Sequence, residues 1–180
     1  MRHFWKAAAT NFLQLGALFP STGVACRTIA KRFPPHTQVV AEYGPGTGVL
    51  THEILKRLPN DGKVFGIELN ETLAKTLKSF PDQRFHLIEG DVAVLSGRLK
   101  TLDPRGVDVA VSGIPFSFIP IDTADTIVKN THENLKKDGC FVVYQYSRYL
   151  LPVLKKYFRK VEVSYEPRNV FPYFIMVAWV

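Results

Sequence analysis

Val39-Val40-Ala41-Glu42-Tyr43-Gly44-Pro45-Gly46-Thr47-Gly48-Val49-Leu50-Thr51-His52-Glu53-Ile54 is the stretch around which the chain is organised. Val39, Val40 and Ala41 form a short apolar run, the pattern of a parallel strand covered on both faces. Gly44, Gly46 and Gly48 follow at alternate positions, where the backbone can take positive φ and let a ligand approach closely. Val49, Leu50, Ile54 and Leu55 then recur at helical spacing. A strand, a glycine-rich turn and a helix in this order are how open α/β sheets bind nucleotides outside their carboxyl ends. The dinucleotide fingerprint requires a glycine where Val49 stands, and no Gly-Lys-Ser/Thr is present for a nucleoside triphosphate. An acid, Glu42, sits two residues before the first glycine. A carboxylate there would repel pyrophosphate but can order water or an ammonium group, so the turn points to a phosphate-free ligand.

The rest of the chain reads outward from this turn. Its 180 residues, 46% apolar and 22% charged, have the size and composition of one globular domain. No apolar run reaches the ~18 residues of a spanning helix, and no stretch has the three-part form of a signal peptide. Cys26 and Cys140 lack metal-ligand spacing and read as reduced thiols, which points to a cytoplasmic protein. The net charge of +7 favours a polyanionic partner, either nucleic acid or an anionic membrane surface. It is concentrated in two clusters, one of Arg2, Lys6, Arg27, Lys31 and Arg32, the other of Arg148, Lys155, Lys156, Arg159 and Lys160.

Upstream, residues 3–15 read as a short helix with Phe4, Trp5, Ala8, Phe12 and Leu15 near one face, the composition of an interfacial segment or of a cover over a pocket mouth. Ser21 or Thr22 caps a second helix from Val24 to Phe33, with Val24, Ile29 and Phe33 turned inward. Downstream, the helix from Thr47 runs to about Leu58, and Lys63–Glu68 is a second strand ending in an acid. Glu68 stands 20 residues beyond Gly48, the offset at which a strand-end carboxylate meets ribose hydroxyls. Asn70-Glu71 caps a helix to Phe80, and Phe85–Glu89 is a third strand leading into Gly90-Asp91-Val92. Glu42, Glu68 and Asp91 thus end three successive strands and form one ligand-facing rim.

Val107–Ser112 is a fourth strand, followed by Gly113-Ile114-Pro115-Phe116 and a helix from about Asp122 to Lys137, with Ile127 and Leu135 among its buried positions. Cys140–Gln145 is the fifth strand, and a basic helix spans about Tyr149 to Phe158. Val161–Tyr165 and Tyr173–Trp179 close the chain as a β pair joined by residues 167–172. The expected fold is a Rossmann-like α/β/α sandwich on a mostly parallel sheet with an antiparallel edge.

Glu42-Tyr43-Gly44-Pro45-Gly46-Thr47-Gly48, Glu68 and Gly90-Asp91, with the terminal β pair, resemble the class I S-adenosylmethionine-dependent methyltransferases and their seven-stranded fold. The resemblance implies S-adenosylmethionine as cofactor, no metal, and cofactor contacts from Glu42, Tyr43, Gly44, Gly46, Gly48, Glu68, Leu69, Asp91, Val92 and Ser112. Two branches are similar, the rRNA adenine dimethyltransferases and the bacterial phospholipid N-methyltransferases. Adenine enzymes carry Asn-Leu-Pro-Tyr after the fourth strand, where this chain has Gly113-Ile114-Pro115-Phe116. Ser112-Gly113-Ile114-Pro115 and Gly16-Ala17-Leu18-Phe19-Pro20-Ser21 look instead like segments of the lipid enzymes, and the chain stops at Val180 without an RNA-gripping helical domain.

That branch implies an aminophospholipid acceptor, phosphatidylethanolamine or its methylated products, met at the inner face of the cytoplasmic membrane. A methylated amine is a bulky cation, and Phe116, Phe118, Tyr144, Tyr146 and Tyr149 form a candidate aromatic cage. Alternation puts Tyr144 and Tyr146 on one side of the sheet, where Tyr144 is alternatively core. Tyr146, Phe116 and Ser112 are the candidate catalytic positions, and Phe118, Tyr149 and Arg148 the candidate acceptor contacts. Arg148 and Arg168 suit a lipid phosphate. His36, His52 and His132 read as surface residues without ligand spacing. The other readings are an RNA or small-molecule N-methyltransferase, and a methyltransferase-like binding module without activity.

Overall fold

The structure is a computed structural model, and it describes residues 23–167 and 172–180. The segment expected as the first helix, the Ser21 or Thr22 cap, and Arg168 lie outside the described residues.

Seven strands form one sheet in the order β3-β2-β1-β4-β5-β7-β6. They are β1 Val39–Tyr43, β2 Lys63–Glu68, β3 Phe85–Glu89, β4 Val107–Ser112, β5 Leu135–Gln145, β6 Lys160–Glu166 and β7 Tyr173–Trp179. The first five run parallel, β1 pairing with both β2 and β4. β7 is antiparallel to β5 and to β6, so the reversed strand lies one place inside the edge that the sequence suggested. β6 takes the edge itself, where its exposed Lys160 and Glu162 discourage further strand addition.

Alternation sorts the residues of the central strands onto two covered faces. Val39, Ala41 and Tyr43 join Ala110, Phe141, Val143 and Met176 beneath the helices α4 Val92–Leu95, α5 Ile121–Asn134 and α6 Leu151–Tyr157. Val40, Val64, Val109, Val111, Val142 and Ile175 face the opposite layer, made by α1 Gly23–Ala30, α2 Val49–Leu55 and α3 Glu71–Leu77. Both faces are therefore dry, which is why the central strands are continuous apolar runs rather than alternating ones.

Several elements differ from the expectation. α1 ends at Ala30, and Val24 is exposed while Ile29 and Phe33 are buried, because the inward stripe begins at Ala25. α2 covers Val49–Leu55 rather than residues 47–58, its entry set by Gly48 at φ +80°. α5 stops at Asn134, and Leu135, expected on that helix, already pairs with Val107 as the start of β5. The pairing then skips to Val109 opposite Cys140. Gly139 permits this irregularity, since a Cβ there would stand 2.7 Å from the Asp108 carbonyl oxygen. Cys26 and Cys140 are buried free thiols.

At the amino ends of the strands a buried acid locks the register. Asp108 Oδ2 accepts from the amides of Gln38 at 2.9 Å and Val39 at 2.8 Å, and Lys136 Nζ donates to its Oδ1 at 2.6 Å. One carboxylate thereby fixes the starts of β1, β4 and β5. No helix among the described residues is long and apolar enough to cross a membrane.

Candidate cofactor and acceptor site

The strand order reverses between β1 and β4, since β2 and β3 lie to one side and β5 to the other. Open α/β sheets bind their ligands outside the carboxyl ends of the strands at this switch point. The residues that follow β1 and β4 meet there. A Cβ on Gly44 would lie 3.4 Å from Ile114 Cγ1.

The three glycines of the β1 turn all take positive φ, at +70° for Gly44, +61° for Gly46 and +80° for Gly48. Their surroundings separate their tasks. A Cβ on Gly48 would meet Phe80 Cε2 at 2.7 Å, so this glycine lets the turn pack against the α3 layer. A Cβ on Gly46 would meet nothing nearer than the Gly44 carbonyl oxygen at 4.0 Å. The open side of the turn is therefore at Gly46, and there a ligand reaches bare backbone.

The three strand-end acids hold distinct partners. Glu42 is buried and accepts from the Thr51 hydroxyl of α2 at 2.7 Å. Burial pushes its carboxyl up to about 7; the Thr51 hydrogen bond opposes the shift and the nearby Glu68 charge adds to it. Glu68 Oε2 accepts from the Gly46 amide at 3.1 Å, and its Oε1 from the Asn70 amide at 2.8 Å. Asp91 caps α4, its Oδ1 accepting from the Ala93 amide at 2.8 Å. Leu69, beside Glu68, is exposed on the rim.

These features fit S-adenosylmethionine. An open glycine turn suits a ligand portion that needs close backbone approach, and Glu68 stands between that turn and α3 where ribose hydroxyls would be accepted. Asp91, half-buried at the next strand end, adds a third carboxylate along the same carboxyl edge of the sheet.

Other expected site residues are placed differently, Tyr43 by strand alternation and the rest by their own elements. Tyr43 points away from Glu42, its ring edge-on to Phe141 at 5.7 Å and its hydroxyl 2.9 Å from Thr131 Oγ1. Any contact from Tyr43 to the crevice is through its backbone. Val92, the first residue of α4, is turned into the core. Ser112 is wholly buried, and its Oγ accepts from the Ile114 amide at 3.2 Å, shaping the turn after β4. Phe116 is also wholly buried and offers no ring face to a substrate, so the expected cage loses it. Phe118, 57% exposed, is the aromatic of that loop that faces outward. His132 is half-buried and edge-on to Phe158 at 5.0 Å, a packing residue rather than a surface one, whereas His36 and His52 are exposed.

Tyr144 and Tyr146 share the α1–α3 face, as alternation required. Burial raises the Tyr146 phenol above its ordinary range. Tyr149 is exposed. The Arg148 guanidinium lies 5.5 Å from the Phe174 ring centroid, a cation–π contact that steadies it on the rim. Gln145 was expected as the last residue of the fifth strand, with no role of its own in the site. It is buried, accepts from the Phe116 amide at 3.3 Å and donates to the Ser147 carbonyl at 3.0 Å. It ties together the loops after β4 and β5, and a polar residue ending an otherwise apolar run was one signal of it. The second basic cluster is partly neutralised, with Lys156 on Asp125 at 2.8 Å and Lys160 on Glu162 at 2.6 Å.

Comparison with known proteins agrees with this geometry. Residues 40–139 match a family described as a methyltransferase domain. An ornithine lipid N-methyltransferase from Singulisphaera acidiphila is 28% identical over 166 residues, covering 88% of this chain and 84% of that protein. A ribosomal RNA small subunit methyltransferase A from Dehalococcoides mccartyi is 38% identical over 76 residues, only 24% of its own length. Among solved structures, a 1,6-didemethyltoxoflavin-N1-methyltransferase from Burkholderia thailandensis superposes with a TM-score of 0.74 at 17% identity, over 99% of this chain and 88% of that one. A precorrin-6y C5,15-methyltransferase from Geobacter metallireducens gives 0.66 at 19% identity, over 87% and 86%. With the glycine turn and its acids in place at the switch point, the chain belongs to the methyltransferase domain family and is an S-adenosylmethionine-dependent methyltransferase.

Proposed function

We propose that the protein N-methylates the headgroup amine of a membrane lipid. Phosphatidylethanolamine and its partly methylated products are the acceptors the sequence favours, and an ornithine-type lipid presents the same aliphatic amine. The observation that carries this reading is the extent of the likeness to the ornithine lipid N-methyltransferase, which runs over 84% of that protein. The likeness to the rRNA enzyme is confined to 24% of its length.

The rim supports the reading. Phe118, Ile121 and Tyr149 are exposed on the segments that follow β4 and β5, beside the acceptor side of the crevice. Large apolar side chains around a site mouth suit a substrate that never leaves a lipid surface. A net charge of +7 draws such a protein to anionic headgroups. On this reading the protein works peripherally at the cytoplasmic face of the membrane.

S-adenosylmethionine supplies a methyl group on a sulfonium, which is already activated. The chain must therefore hold an uncharged amine in line with it, and such positioning is the main source of rate. The amine loses a proton to water, its lone pair forms the new N–C bond, and the pair of the broken C–S bond stays on sulfur. Charge and the rRNA relative favour an RNA acceptor as the second reading.

The test is methyl transfer from labelled S-adenosylmethionine to vesicles of phosphatidylethanolamine or ornithine lipid with anionic lipid, and to unmodified rRNA in parallel. Label in either lipid supports the proposal and identifies the headgroup. Label in RNA alone overturns it.

A further inference from the structure

Position 113 lacks a side chain, and a group from another strand fills the space. A Cβ built on Gly113 would collide with the hydroxyl and Cζ of Tyr144, and Cε2 of the same ring would lie only 2.8 Å from it. Gly113 directly follows β4, and its neighbour Ile114 lies beside the Gly44 turn, its Cγ1 3.4 Å from where a Cβ on Gly44 would stand. The Tyr144 phenol is thus laid across the end of β4, next to the switch point. Its ring is braced edge-on by Tyr173, with centroids 6.3 Å apart and planes at 68°. Tyr144 lies on the α1–α3 face of the sheet, the face that Glu42 shares through Thr51 of α2.

We propose that Tyr144 orients the acceptor amine, Gly113 being the vacancy that admits its hydroxyl to the end of β4. This rests on the reading of the acceptor as a lipid amine. The phenol oxygen accepts a hydrogen bond from the N–H of a primary or secondary amine, so the orientation applies to the unmethylated and monomethylated headgroups. The nitrogen lone pair is then free to face the methyl donor, and the proton that leaves goes to water. The pair also sets specificity. An acceptor must fit beside a phenol rather than beside a side chain of residue 113, so any residue larger than glycine there displaces the orienting group.

The variants are Tyr144→Phe, and Gly113→Ser combined with Tyr144→Ala, which returns a hydroxyl near the vacated place. The measurements are steady-state methylation of the two lipids, cofactor affinity by calorimetry, and the Cζ resonance of Tyr144 in protein carrying 13C-tyrosine, assigned by its loss in Tyr144→Phe. Tyr144→Phe is expected to melt like the wild type and bind cofactor equally well, with kcat lowered roughly 10- to 100-fold, the cost of misorientation. The double variant is expected to recover at least about one-third of that loss on a logarithmic scale. In the wild type the Tyr144 resonance moves on adding acceptor vesicles and not on adding phosphatidylcholine vesicles. Wild-type kinetics in Tyr144→Phe, or a resonance indifferent to acceptor, overturns the inference and leaves the lipid reading standing. A wild type that methylates neither lipid overturns both.

Discussion

Glu68 reaches from the end of β2 to the Gly46 amide, accepting its hydrogen at 3.1 Å, so the second strand holds open the turn that follows the first. The other oxygen of the same carboxylate accepts from Asn70 N at 2.8 Å, where α3 begins. One side chain therefore sets both the shape of the glycine turn and the position of the helix beside it. Replacing Glu68 with Gln removes the charge and turns one acceptor into a donor facing an amide. Hydrogen bonds to charged groups contribute about 1.5–3 kcal/mol, so S-adenosylmethionine should bind roughly 10- to 100-fold more weakly. Calorimetric titration checks this, and unchanged affinity would remove Glu68 from the cofactor site.

Glu42 makes the stability of the ligand-free protein depend on pH. Its folded carboxyl is pushed up to about 7 from an ordinary value of 4.5, chiefly by burial. The folded state holds the proton more tightly than the unfolded state. The associated stability is fully present below pH 4.5 and is lost as pH rises through about 7, at most ~3 kcal/mol by linkage. Denaturation followed between those limits should show a downward slope with rising pH that Glu42→Gln flattens. A slope equally steep in the variant would place its origin elsewhere.

The glycines of the turn should respond in opposite ways. Gly48→Ala forces a side chain to φ +80° and into Phe80, which stands 2.7 Å from the new Cβ. A left-handed residue costs about 1–2 kcal/mol before any clash, so thermal stability should fall by more than ~2 kcal/mol. Gly46→Ala takes a similar backbone strain but meets open space, so it should melt higher than Gly48→Ala while losing more cofactor affinity. Equal cofactor affinities in the two variants would count against Gly46 as the point of ligand approach.

Asp108 is the corresponding device at the other end of the sheet. Asp108→Ala leaves the amides of Gln38 and Val39 and the Lys136 ammonium without their acceptor. Leaving a buried donor such as the Val39 amide without its acceptor costs about 1–3 kcal/mol, and the part-exposed Lys136 adds less. A large drop in the denaturation midpoint is expected, with cofactor affinity of the remaining folded protein close to wild type. A stable variant with weakened cofactor binding would contradict the division between a structural and a ligand-binding end.

Much of this was legible in the residues. β1, β2, β3, β4 and β7 fall where apolar runs and turn residues placed them, because local pattern and burial agree there. The Asn70 cap was equally plain, its side chain accepting from the amides of Thr72 and Leu73. The passage from α5 to β5 was not, since Leu135 satisfies a helical stripe as well as a strand and only its pairing with Val107 decides between them. Phe116 and Phe118, two residues apart in one loop, both read as members of one aromatic cage, yet one is core and the other rim.

By itself the sequence determined a nucleotide-binding type of β/α sheet, a phosphate-free cofactor and the acids that end its strands, because glycine spacing and strand-end acids act through backbone geometry that is local. Only the tertiary structure decided which layer each neighbour of a pair meets, Glu42 turning to Thr51 and Tyr43 to Phe141 and Thr131, and what the missing side chain of Gly113 makes room for. Tyr144 lies 31 residues further along the chain, and no local pattern records that its hydroxyl occupies that space. The absence of a Cβ acquires meaning only from the atoms that close around it.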